Sequence, residues 1–70
     1  MKLEQVLIGT LQKRRDGEFV LATDEERTVL LEFRSTRSRR AAENLEDKRC
    51  EARGTYARST FVVDAIERHY

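Results

Sequence analysis

Apolar and polar residues alternate with a period of two over most of this chain, the spacing of strands with one face buried. In Lys2 to Arg14, Leu7, Gly9 and Leu11 share one face and Val6, Ile8 and Thr10 the other. Apolar residues on both faces fit a central or strongly curved strand, and Gly9 favours curvature. Asp16-Gly17 follows, a hairpin signal because both residues accept positive φ. Phe19, Leu21 and Thr23 share a face in the second strand, and Val29, Leu31 and Phe33 in the third, with Asp24 to Arg27 turning between them. These three strands in succession make a β-meander.

The richest stretch is Lys48 to Arg68. Cys50, Ala52, Gly54 and Tyr56 lie on one face of a strand, and Glu51, Arg53, Thr55 and Arg58 hold the polar positions. Ala57 to Thr60 turns the chain into Phe61-Val62-Val63, the most β-prone run present. Ile8-Gly9-Thr10-Leu11 echoes Arg53-Gly54-Thr55-Tyr56, each with a glycine inside a strand. Such a glycine marks a sharp bend or the close approach of another backbone.

Between the two strand regions the period changes. Ala41, Ala42 and Leu45 recur at helical spacing, and β-branched residues vanish after Thr36. A short surface helix from about Thr36 to Lys48 is expected, capped by Ser38 or Thr36. A competing reading extends it from Ser38 to Arg53, with Gly54 as its stop. The expectation is therefore a mainly β domain, a five-stranded barrel with one short helix in the order βββαββ, spanning residues 1–70 as a single domain.

Composition narrows the function classes. At 70 residues the core is near the lower limit for independent folding, and a large enclosed active site has little room. One cysteine excludes an internal disulfide, and one cysteine with one histidine does not build a structural zinc site. Packing or oligomerisation must then supply the stability. No apolar run reaches membrane-spanning length and no signal-peptide core follows Met1, so a cytoplasmic protein without a membrane partner is expected. The net charge is only +1, against bulk coating of nucleic acid, but the charges are unevenly placed. Arg34, Arg37, Arg39 and Arg40 fall together without an acid, and Glu18, Asp24, Glu25 and Glu26 cluster elsewhere.

The element order resembles the OB-fold, a five-stranded Greek-key barrel with a helix between its third and fourth strands. The residues that carry the resemblance are Leu7-Ile8-Gly9-Thr10-Leu11, the Asp16-Gly17 turn, Cys50 to Tyr56 and Phe61 to Glu67, with Leu45, Lys48 and Arg49 similar to the end of the connecting helix in small bacterial OB domains. The resemblance implies a binding face across Phe19 to Thr23 and Thr28 to Phe33, flanked by loops Lys13 to Glu18 and Ala57 to Thr60. It is a likeness of pattern, and SH3-like barrels share the same texture.

No catalytic constellation is present, so a non-enzymatic domain without a cofactor is expected. His69 is expected to be exposed near a fraying end, and Cys50 to be a small buried hydrophobe. Asp24-Glu25-Glu26 reads as a solvated turn, since calcium-loop spacing is missing. Phe19, Phe33 and Phe61 are expected in the core, with Tyr56 half-buried at its rim. The arginines remain. Arg34, Arg37, Arg39 and Arg40, together with Lys13, Arg14 and Arg15, are the candidate nucleic-acid contacts if the fold unites them. The first expectation is single-stranded nucleic acid held by its phosphates and by shallow stacking. The alternative is a protein-interaction domain or homo-oligomer, its exposed strand edges pairing between chains.

Overall fold

The computed structural model describes residues 3–70. Lys2, counted above with the first apolar run, lies outside the described residues, as does Met1. Five strands and one helix follow in the expected order: β1 (Gln5–Lys13), β2 (Phe19–Thr23), β3 (Thr28–Phe33), α1 (Thr36–Glu43), β4 (Arg49–Ala57) and β5 (Thr60–Arg68). They close a barrel in the spatial order β1-β2-β3-β5-β4. All neighbouring pairs are antiparallel except β3 and β5, which run parallel from Leu30↔Thr60 to Phe33↔Val63.

β1 serves two partners. Its first half pairs with β4, from Gln5↔Gly54 to Thr10↔Arg49, and its second half with β2, from Gly9↔Thr23 to Lys13↔Phe19. Gly9 sits at the changeover, where a Cβ would stand 2.2 Å from the carbonyl oxygen of Ala22. Gly54 repeats the arrangement at the bulge between Arg53 and Gly54 in the β4–β5 pair, where a Cβ would stand 1.9 Å from the carbonyl oxygen of Val62. Both glycines are thus demanded by a neighbouring backbone, as their place inside strands suggested.

The core fills from the alternating positions. Leu11, Phe19, Leu21, Val29, Leu31, Cys50, Ala52, Phe61, Val63 and Ile66 are buried together, and Phe33 packs against them half-buried. Phe19 and Phe33 meet edge-to-face at 5.5 Å, as do Tyr56 and Phe61 at 5.1 Å. Tyr56 keeps 38% of its surface exposed at the rim.

The turns differ from expectation in detail. Arg14 N–H donates to Glu18 O and Gly17 N–H to Arg14 O, giving a three-residue β1–β2 loop in which Gly17 alone takes positive φ. Asp16 instead accepts the Glu18 N–H on Oδ1 at 3.0 Å. Arg58-Ser59 alone connect β4 to β5, so Ala57 and Thr60 belong to the strands.

α1 is shorter than either sequence reading and occupies the first part of the Thr36–Lys48 window. The long-helix reading is overturned by β4, which begins at Arg49. Ser35, not Thr36 or Ser38, is the N-cap, its Oγ accepting the Ser38 N–H at 3.1 Å. Ser38 is drawn inward and donates from Oγ to Asp64 O at 3.3 Å, tying α1 to β5. Ala42 is fully buried, with Ala41 and Leu45 packed on the core, so α1 covers the barrel end beside β3 and β5.

Candidate nucleic-acid interface

The fold joins two of the sequence's basic segments. Arg39 donates from Nη2 to the carbonyl oxygen of Gly17 at 3.1 Å, bridging α1 to the β1–β2 loop. Beside it, Lys13 Nζ is 2.9 Å from Glu43 Oε2. Both cations lie over Phe19, Lys13 Nζ at 5.6 Å and Arg39 Cζ at 5.9 Å from the ring centroid. Their alkyl stems help to cover a ring that is only 1% exposed. Lys13 and Arg39 thus meet over Phe19, and Arg14 and Arg15 are exposed in the loop that Arg39 reaches. Arg37 and Arg40 are exposed on the same short helix, and Arg34 is exposed just before it.

Their electrostatic roles separate. Lys13 is neutralised by Glu43, and Arg39 is held by a backbone carbonyl. Arg14, Arg15, Arg34, Arg37 and Arg40 make no ion pair among the described residues. The first turn of α1 carries no acidic residue, so Arg37 faces the positive end of the helix dipole unrelieved. A phosphate would relieve both that clash and the mutual repulsion of the neighbouring guanidinium groups.

The adjoining cleft, about 440 Å³, is lined by Glu18, Phe19, Leu30, Glu32, Phe33 and Arg39. Its two carboxylates, Glu18 and Glu32, make the cleft unfavourable to a phosphate group. Across the β2–β3 face, Phe19, Leu21, Val29 and Leu31 point to the core. The alternate positions Val20, Ala22, Thr28, Leu30 and Glu32 face outward, with Val20 itself buried. No aromatic ring is presented on that outward face among the described residues. Phe19 and Phe33 both line the cleft, but Phe19 is buried and Phe33 half-buried, as core residues, so little ring surface is offered there for stacking.

The other candidates resolve simply. His69 is tied down and not frayed: its N–H donates to Arg49 O at 2.9 Å, and its Nδ1 lies 3.8 Å from Glu51 Oε2. Asp24 is paired with Arg49, a contact the sequence did not suggest. Among the described residues, no group of three His, Cys, Asp or Glu side chains converges to hold a metal ion. No helix among the described residues is long and apolar enough to cross a membrane. Comparison of the chain with protein-family models, with curated proteins and with solved structures finds no match.

Proposed function

We propose that this chain is a non-enzymatic binding module of OB type that takes single-stranded nucleic acid on the surface shared by α1 and the β1–β2 loop. The OB reading rests on the helix between β3 and β4 and on closure through a parallel β3–β5 pair. The binding reading rests on one observation. The Arg39–Gly17 bridge ties the loop that carries the exposed Arg14 and Arg15 to the helix that carries Arg37 and Arg40, and none of the four makes an ion pair among the described residues. Guanidinium groups without ion-pair partners favour phosphate even with Asp16 and Glu18 in the same loop, and the β2–β3 face, which presents no outward ring among the described residues, leaves the contacts mainly electrostatic. Sequence specificity is accordingly low.

Fluorescence anisotropy with labelled oligothymidylate, across a salt series, tests this. Binding should weaken steeply with salt. Replacing Arg14, Arg15, Arg37 and Arg40 together with alanine should flatten the slope of log affinity against log salt by about 0.7 per lost contact, about three in all. No binding by the parent at low salt would reject the reading. An unchanged slope in the quadruple variant would move the site elsewhere.

A further inference from the structure

At the opposite end of β1 from Lys13, the barrel wall is open. β1 pairs with β2 only from Gly9 onward, so the edge of Gln5 to Ile8 that faces away from β4 has no strand beside it. Successive residues of a strand direct their N–H and C=O groups to opposite sides. Leu11 faces β4 through its bonds with Lys48 O and Asp47 N–H, and Ile8 faces the other way, accepting the Asp24 N–H at 3.1 Å. By that alternation Val6 directs its N–H and C=O into the opening. The groove there, about 540 Å³, is lined by Val6, Leu7, Ile8, Val29, Tyr56 and Arg27. Its β1 and β4 side is apolar and uncovered, with Val6 49% and Tyr56 38% exposed and Leu3 beyond them 76% exposed, while Asp24, Glu25 and Arg27 of the β2–β3 turn line it as charged groups.

Exposed edges are ordinarily guarded by lysine, proline or a bulge. Gln5-Val6-Leu7-Ile8 has none of these and no charge. Strand groups without a strand partner, beside a groove with an apolar wall and a charged one, suit another strand that carries apolar and charged side chains. We infer that the occupant is a second copy of this chain, its β1 edge pairing antiparallel to the first, Val6 against Val6 across a two-fold axis.

That register is self-complementary. It sets Gln5 against Leu7 of the other copy and Glu4 against Ile8, and it ends there because Asp24 already occupies the Ile8 carbonyl. The charges agree with it. Glu4 and Arg27 are both exposed, and neither makes an ion pair among the described residues. Arg27 lines the groove alongside Ile8, so Glu4 of each copy arrives next to Arg27 of the other, twice by symmetry. Asp24 is already paired with Arg49, which leaves Glu25 as the like charge that Glu4 meets there. This inference is independent of nucleic-acid binding, which uses the other end of β1.

Sedimentation equilibrium from micromolar to millimolar protein tests it. The wild type should form dimers. Val6→Pro deletes an N–H that no barrel strand uses, so the circular-dichroism β-signal should persist while self-association weakens at least about tenfold. Glu4→Arg and Arg27→Glu should each weaken association, and the two together should restore it. A wild type monomeric at millimolar concentration would overturn the inference, as would a Val6→Pro variant that dimerises like the parent. Failure of the double reversal to restore association would also overturn it. The charge pair carries the test alone if Val6→Pro does not fold.

Discussion

Cys50 stands fully buried on β4, its Sγ 3.3 Å from Lys48 O and 3.8 Å from Leu45 O. Burial pushes its thiol pKa above the ordinary value, and the nearby Arg68 and Lys48 charges pull back only part of that rise. The folded state therefore keeps the proton at pH values where the unfolded chain has released it. Stability linked to Cys50 is intact below the ordinary thiol range and declines as pH rises above about 9. Lysines and tyrosines titrate there too, so the informative quantity is a difference. Urea denaturation of wild type and Cys50→Ala should give curves of stability against pH that run parallel at neutral pH and converge in the alkaline range, as the wild type loses its advantage. Curves that stay parallel throughout would show that burial does not perturb this thiol.

At the scale of elements, two glycines decide whether the barrel closes. A methyl group at Gly9 or Gly54 would meet backbone, which cannot swing aside as a flexible side chain can. Gly9→Ala and Gly54→Ala should each cost about 3 kcal/mol, the upper part of the range for overpacking, read as a shift in the urea midpoint. Gly17→Ala is the contrast. Its φ of 89° is strained for alanine, but the nearest neighbour is the end of the Arg39 side chain at 4.0 Å, so a loss of about 1–2 kcal/mol is expected. Equal losses at all three sites would mean that conformation and not backbone approach governs Gly9 and Gly54. These glycines were legible in the sequence because each interrupts an alternating run, and alternation likewise placed the five strands. The turns were less legible, since Glu26, Asp47 and Arg58 adopt positive φ without being glycine. The cap was ambiguous for another reason. The expected caps, Thr36 and Ser38, leave out Ser35, which carries the same hydroxyl; Ser38 instead turns inward to Asp64, 26 residues away. The candidate site was legible as a list of arginines but not as a geometry, because the contacts that assemble it, Arg39 to Gly17 and Lys13 to Glu43, span 22 and 30 residues.

For the molecule as a whole, the same basic surface has two parts with opposite effects on stability. Arg39 and Lys13 hold α1 against the β1–β2 loop, and through Phe19 they seal one end of the core. Arg14, Arg15, Arg37 and Arg40 are exposed and make no ion pair among the described residues. Removing these four should leave stability unchanged or raise it slightly, because alanine is the better helix former and like charges are relieved. Arg39→Ala should instead cost about 1–2 kcal/mol, since it deletes a hydrogen bond to Gly17 and uncovers Phe19. For a domain of this size that is a fall in melting temperature of roughly 5–15 °C. Salt separates the two effects. The wild type should gain stability between low and high ionic strength as its arginines are screened, and the quadruple variant should gain less. Arg39→Ala should respond to salt much as the wild type does, because its loss is one of packing and hydrogen bonding. A quadruple variant that melts well below the wild type would mean that those arginines are structural, removing the reason to read them as a surface kept for phosphates.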